Sequence, residues 1–406
     1  MFRLISLFLV VVGLLIINTV EGEEPEKRVN EIHNKALTVD THCDTPMLLL
    51  RENFDIGKRN APPQNRVDFP GMKEGGLDAI FFAAFTSQRE RTPENTEAAY
   101  QTANKMIDAT FDACKKYSEM AEVATTSEDA TRIEAAGKRA IYIGMENGFP
   151  LGSDIKRVTE FYNRGVRYIT LCHSSNNDIC DSSTDRVGQE HNGLSRFGKK
   201  VVREMNKLGM IIDVSHISDK SFFDVIKYSK APIIASHSSV RSIAHHNRNM
   251  NDEMIKALAK NKGVIQICLL DVYIKDPDTT TVRYQKEKEL REIFNTTFNS
   301  MNDDGKNKVR SRWREIREKY PRELPTVADY VDHIDYVKNL VGIDYVGIGS
   351  DFDGGGGLAD CADVSHFPNI TMEMLKRDYT EEEILKVWGG NFFRVFRENE
   401  SLAKIN

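Results

Sequence analysis

The stretch LTVDTHCDTPMLL, Leu37–Leu49, sets a histidine, a cysteine and an aspartate side by side at His42, Cys43 and Asp44. Each of these residue types binds metal ions. Five further apolar runs end on an ionisable residue: RAIYIGM on Glu146, VRYITLC on His173, GMIIDVS on His216, APIIAS on His237 and YVGIGS on Asp351. One histidine or aspartate in such a place more often caps or hydrogen-bonds its own backbone. Seven residues repeating the same relation to an apolar run point to one shared site. Imidazole nitrogens with carboxylate oxygens suit zinc, with manganese or cobalt as substitutes.

The runs also say what must position these residues. ALTVDTH, LDAIFFAAF, RAIYIGME, VRYITLCH, GMIIDVSH, APIIASH, GVIQICLL and YVGIGSD are near-continuously apolar and bounded by Gly or Pro, as buried parallel strands are. Amphipathic stretches alternate with them. In Ser195–Gly209, for example, Phe197, Val201, Val202, Met205 and Leu208 recur at helical spacing. The alternation predicts a single (β/α)8 TIM barrel over residues 23–406. In that fold the C-terminal strand ends form one rim, so residues as distant as His42 and Asp351 meet there. The charged segment Tyr284–Arg322 predicts a helical insertion before the last strand, and EEEILKVWGGNFFRVFREN predicts C-terminal helices.

Side chains alternate along a strand, so His42 and Asp44 should face the barrel mouth while Cys43 turns into the wall. The same parity should turn Cys172 away from His173. Three His, one Asp and one Glu (His42, Asp44, Glu146, His216 and His237) are too many for one catalytic zinc with an open position. They fit two metals if Glu146 bridges, with His42 and Asp44 on the first and His216 and His237 on the second. Two cations about 3.5–4 Å apart share a water and lower its pKa toward about 7, giving a metal-bridging hydroxide. His245 and His246 read as hydrogen-bonding loop residues. DFDGGGG, from Asp351, lacks the downstream ligand spacing of an EF-hand.

The chain has 406 residues, 40% hydrophobic and 29% charged, with a net charge of -6. That composition supports a large core, and the lack of a basic run excludes nucleic acid as a partner. Arg3 followed by the apolar Leu4–Ile17, with small residues at Val20 and Gly22, predicts a signal peptide over 1–22. The protein is then expected to be exported, periplasmic or extracellular, with no stable membrane anchor; the polar RVFRENESLAKIN lacks the tail of a lipid-anchor signal. Export permits disulfides, and a bridge is expected among Cys114, Cys172 and Cys180.

In the order DTHCDTP, GMENG, LCHSSNN, IDVSH, ASHSSVRSIAHHNRN and GIGSDFDG, the chain resembles the membrane (renal-type) dipeptidases, binuclear zinc enzymes on an amidohydrolase-like barrel. The likeness runs from Leu37 to Phe393. It implies His42 and Asp44 as first-metal ligands, Glu146 as the bridge, and His216 and His237 as second-metal ligands. It further implies that His173 polarises the scissile carbonyl, Arg248 grips the substrate carboxylate, and Asp351 moves the proton from water to the leaving amine. A free dipeptide substrate and a homodimer follow from the same resemblance. Many relatives carry Asn where this chain has Cys43, and the missing lipid-anchor signal makes it look closest to the bacterial members. Lactonases, deaminases and D-aminoacylases of related barrels mostly open with His-x-His and bridge through a modified lysine, unlike this chain. A catalytically silent binding barrel would have no use for Asp351.

Overall fold

The apolar runs become a parallel sheet that curls back on itself. The computed structural model describes residues 25–404 apart from Ala61 and Gln64, so the signal peptide expected at 1–22 lies outside the described residues. Its strands are β1 (Val39–Cys43), β2 (Ala79–Phe85), β3 (Ala121–Val123), β4 (Arg139–Glu146), β5 (Val166–Thr170), β6 (Ile211–Asp213), β7 (Ile234–Ala235), β8 (Val264–Ile267) and β9 (Val346–Ile348). The order is β1-β2-β4-β5-β6-β7-β8-β9, every pairing is parallel, and helices fill the crossovers. This is the eight-stranded barrel that the alternation predicts. The unpredicted β3 pairs with Arg139–Ile141, a part of β4 that β5 leaves free until Ile143. No helix of the described residues is long and apolar enough to cross a membrane.

The seam between β9 and β1 closes through residues just past β9. Cys43 bridges Phe352, the Asp44 N–H donates to Phe352 O at 2.9 Å, and the Asp351 N–H donates to His42 O at 3.0 Å. Below them Ser350 donates from its backbone and its hydroxyl to the buried Asp40 carboxylate, at 2.8 and 2.5 Å. Closing the barrel therefore places Asp351 beside His42.

Register along β1 slips on the way. Val39 and Asp40 pair with Ala79 and Ile80, but Cys43 pairs with Phe82. Strict alternation from Val39, which packs inside the barrel with Ala79 and Phe81, would have turned Cys43 inward. The bulge reverses the phase. Cys43 joins Ile80 and Phe82 in the outer layer, and His42 and Asp44 reach the mouth.

Inside the barrel, Phe81 stacks on Tyr142 and Tyr168 with ring centroids 4.8 and 5.1 Å apart. Phe392 and Phe396, from the C-terminal helix Asn391–Ala403, close this layer from below. Each fully buried aromatic side chain contributes roughly 1.5–3 kcal/mol of burial. Gly144 makes room for Tyr168, since a Cβ there would lie 2.2 Å from that ring.

The helices follow their local signals. Ser195 accepts from Gly198 N–H as N-cap of Arg196–Leu208, and Gly209 ends that helix at φ 75°. The charged insertion forms Val282–Thr296 and Asp303–Lys319, joined over the buried Leu290, Val309 and Ile316. The expected C-terminal pair is one run, Glu381–Leu385 and Asn391–Ala403, joined by a π turn that buries Trp388. The expected bridge among Cys114, Cys172 and Cys180 is not formed: all six cysteines are buried free thiols. Cys114 lies on the helix Pro93–Lys116, while Cys172 and Cys180 pack as small apolar groups beside one another.

Gly144→Ala is expected to force Tyr168 out of its place and lower stability by about 1–3 kcal/mol in urea unfolding. An unchanged midpoint would mean that the ring layer has slack to absorb a methyl group.

Candidate active site

All seven rim residues fall into three overlapping triads whose ligand atoms lie within 4.8 Å of one another. These are His42–Glu146–His237, Glu146–His173–His216 and His42–Asp44–Asp351. Only His42 and Glu146 belong to strands. Asp44, His173, His216, His237 and Asp351 stand in the turns that follow β1, β5, β6, β7 and β9. Strand parity therefore does not govern His173 and Cys172, and the loop alone buries the thiol and leaves the imidazole open to the cavity. His216 and Asp351 adopt left-handed φ of 74° and 58°, uncommon for side-chain-bearing residues and concentrated at functional sites.

Glu146 stands at the centre. Its Oε2 lies 3.6 Å from His42 Nε2, while its Oε1 lies 3.0, 3.5 and 3.6 Å from Nε2 of His216, His237 and His173. Nε2 of His216 and His237 approach to 2.9 Å. The far sides of two rings are held from beneath. His42 Nδ1 meets Tyr168 OH at 2.8 Å. His237 Nδ1 meets Ser236 Oγ at 2.8 Å, and that hydroxyl donates to Asp213 Oδ2 at 2.6 Å. With Nδ1–H donating outward, the Nε2 of each ring is turned to the centre.

Asp44 occupies the N-cap position of the helix Thr45–Leu49, yet its side chain makes no cap bond. Its Oδ1 and the Nε2 of His42 are buried without a hydrogen-bond partner. Gly354, in DFDGGGG, lets the backbone press against both carboxylates; a Cβ there would lie 2.0 Å from Asp44 Oδ2 and 2.4 Å from Asp351 Oδ1. Converging buried lone pairs fit a cation, and Glu146, which offers one oxygen to each side, fits between two.

The electrostatics agree. Burial, with Arg248 and His173 adding, pushes His216 well below the usual imidazole range, and burial with His42 does the same to His237. Neutral imidazole is the metal-binding form. Burial opposes a charge on Glu146, but His42, His173 and their neighbours hold its carboxyl well below the usual range. Burial also opposes a proton on His42, and the carboxylates of Glu146, Asp44 and Asp351 outweigh it, raising His42 to about 10. Burial lifts Asp351 to about 7, with His42 pulling it down and Glu146 up. These carboxylates draw in positive charge.

Arg248 is buried on the wall of the same cavity, whose volume is about 850 Å³. Its Nη2 donates to His237 O at 3.0 Å and its Nη1 to Ser238 Oγ at 3.2 Å, and the guanidinium carbon lies 5.2 Å from the centroid of the Tyr273 ring. No carboxylate pairs with it among the described residues. Met47, Phe85, Leu270 and Tyr273 supply the apolar part of the wall. His245 and His246 are loop hydrogen-bonders, on Asp276 and on the Arg248 N–H. The sequence reading missed Tyr168, the Ser236–Asp213 relay and Tyr273. Only Tyr168 left a signal there, as the aromatic residue of the strand run VRYIT that leads to His173.

Residues 26–406 match the membrane dipeptidase family, Peptidase family M19. The chain belongs to that family. Dipeptidase tcpJ of Claviceps purpurea is 31% identical over 374 residues, spanning 90% of this chain and 77% of that protein. Dipeptidase verJ of Clonostachys rogersoniana is 32% identical over 379 residues, spanning 90% and 84%. The crystal structure of the probable dipeptidase PvdM from Pseudomonas aeruginosa superposes with a TM-score of 0.83 at 28% identity, over 93% of this chain and 99% of that one. A metallo peptidase from Rhodobacter sphaeroides, liganded with a phosphinate mimic of the dipeptide L-Ala-D-Ala, shares the fold at TM-score 0.72 and 21% identity, over 89% and 99%. The chain is a metallohydrolase of the dipeptidase family on a dipeptidase barrel. These relatives are fungal and bacterial, so a special closeness to the bacterial members does not follow from them.

Tyr168→Phe removes the hydroxyl beneath His42 and is expected to weaken metal binding about 10–100-fold in chelator competition, with the fold intact. Cys43→Ser should leave metal binding unchanged, because that side chain faces the outer layer. Loss of metal from folded Cys43→Ser protein would overturn the placing of Cys43 outside the site.

Proposed function

We propose that this chain hydrolyses free dipeptides to two amino acids with two zinc ions, held by His42 and Asp44 on one side of Glu146 and by His216 and His237 on the other. Bound there, the two ions would supply acidification of the attacking water toward a pKa of about 7 and Lewis-acid polarisation of the scissile carbonyl. The observation that carries the substrate is Arg248. A buried guanidinium with no carboxylate partner is costly to keep, and its planar fork suits bidentate pairing with a carboxylate. The free C-terminal carboxylate of a dipeptide meets that need and leaves its one peptide bond to reach Glu146, His173 and Asp351 in the same cavity.

The chain's own groups then divide the work. Ser174 Oγ lies 2.9 Å from His173 Nδ1; with that hydroxyl donating, Nε2–H is free to donate to the carbonyl oxygen as it gains charge. Asp351, lifted to about 7 by burial, takes a proton from the attacking water as the C–O bond forms. It returns that proton to the amine as the C–N bond breaks, so protons balance over the cycle. Met47, Phe85, Leu270 and Tyr273 offer apolar surface to the substrate side chains. Export to the periplasm or cell exterior, carried by the apolar Leu4–Ile17, and pairing into a homodimer complete the proposal.

The purified protein is expected to carry about two zinc ions per chain and to lose activity reversibly to a chelator. Asp351→Asn should fold and bind dipeptide but turn over about 10²–10⁴-fold more slowly. Near-normal turnover would move the proton to another group. Arg248→Ala should cost about 2–5 kcal/mol in kcat/KM on alanyl-alanine and far less on its C-terminal amide. Equal losses on the two would mean that Arg248 supports the fold and not the carboxylate.

A further inference from the structure

Arg248 lies in a loop that closes on itself. Val240 bridges Met250, the Arg241 N–H donates to Met250 O at 2.9 Å, and the Met250 N–H donates to Ser239 O at 2.8 Å. The ring beneath its guanidinium, Tyr273, belongs to the short helix Asp271–Ile274. One segment follows β7 and the other follows β8. Their relative placement depends on side chains. His245 and Asp276 pair at 2.7 Å, but both are exposed, and such pairs contribute little. Asn249 is a buried tie, its amide donating to Ala244 O and Tyr273 O at 2.9 Å each.

The buried Ser239 hydroxyl also donates to Cys268 O at 3.4 Å, and a further buried tie is His333, on the helix Val327–Val341, with no exposed surface. Its Nδ1 accepts the Val240 N–H at 3.0 Å. In the neutral ring the proton then sits on Nε2, which donates to Ile274 O at 2.9 Å. Burial holds this imidazole down at about 4, so it keeps its acceptor nitrogen at neutral pH. A core histidine that merely satisfied itself would have no need to link two active-site segments. This one commits each nitrogen to a different one, at Val240 and at Ile274.

We propose that His333 is the positioning residue of the carboxylate clamp. By tying the Arg248 loop to the Tyr273 segment it keeps guanidinium and ring in register, and so sets affinity for the substrate carboxylate without touching substrate. The inference rests on the reading of Arg248 given above.

The test is steady-state kinetics of the zinc-loaded full-length protein on alanyl-alanine, for His333→Ala, His333→Asn, Arg248→Ala and the His333→Ala, Arg248→Ala double variant. His333→Ala leaves the buried Val240 N–H unpaired and is expected to raise KM about 10-fold, with zinc content and kcat nearly unchanged. His333→Asn, whose side-chain oxygen can still accept from Val240, should regain most of the affinity. In the Arg248→Ala background the His333→Ala change should add no further loss, because the two act on one interaction. An equal additional loss there, or a fall in kcat with unchanged KM, overturns the positioning role. An unchanged KM in Arg248→Ala itself overturns the carboxylate reading first, which separates the two failures. Should His333→Ala fail to fold, Asn249→Ala cuts the second tie and carries the same comparison.

Discussion

Glu146 carries its charge at the C-terminal end of β4, where almost no water reaches it, and the rest of the rim answers that charge. An unpaired carboxylate buried in this way would neutralise itself by taking up a proton. Four imidazoles prevent that by crowding its two oxygens, one on Oε2 and three on Oε1. The same crowding sets Nε2 of His216 and His237 only 2.9 Å apart and leaves Nε2 of His42 without a partner. Such an arrangement is stable only with positive charge among the rings, supplied by a proton on His42 or by cations. The demand for positive charge is thus built into the electrostatics of one side chain.

Support for that cluster passes down the barrel axis. Tyr168 reaches His42 because Gly144 yields space to its ring, and the ring is held by Phe81, which rests on Phe392 of the C-terminal helix. An apolar stack that would otherwise only stabilise the fold here also orients His42. From the end of the neighbouring strand β6 the Asp213–Ser236 relay does the same for His237 by hydrogen bonds. Rigid strands hold Glu146 and His42, while turns in unusual backbone conformations bring in His216 and Asp351. A barrel can carry that strain because its closed sheet over-determines where each turn begins and ends.

The cavity joins two sites of opposite need. The rim cluster is rich in carboxylates and draws cations, whereas Arg248 is a buried cation with no carboxylate partner among the described residues. A small molecule with a carboxylate at one end and a polarisable carbonyl one residue away meets both needs at once. This complementarity links the proposed chemistry to the proposed substrate length and to the proposed clamp around Arg248. Val240, Tyr273 and Ile274 are backbone anchors in that clamp, tied by Asn249 and His333.

Much of this was legible in the order of residues alone. Near-continuous apolar runs alternating with amphipathic helices announce a parallel barrel because hydrophobic period reports which faces are buried. Ionisable residues ending those runs announce the rim, and the ordered motifs announce the dipeptidase family. Other features depend on contacts between segments far apart in the chain. The bulge in β1 decides the direction of Cys43, and it exists only through pairing with β2. β3 is too short to carry a pattern, and the cysteines, expected to bridge, are spent on packing. Tyr168 beneath His42, Asp213 behind His237 and His333 behind Arg248 are 126, 24 and 85 positions from the residues they serve. No spacing rule spans such separations. A strand's period is local physics that every residue carries with it, whereas the partner across the barrel is decided only when the seam closes and the side chains meet.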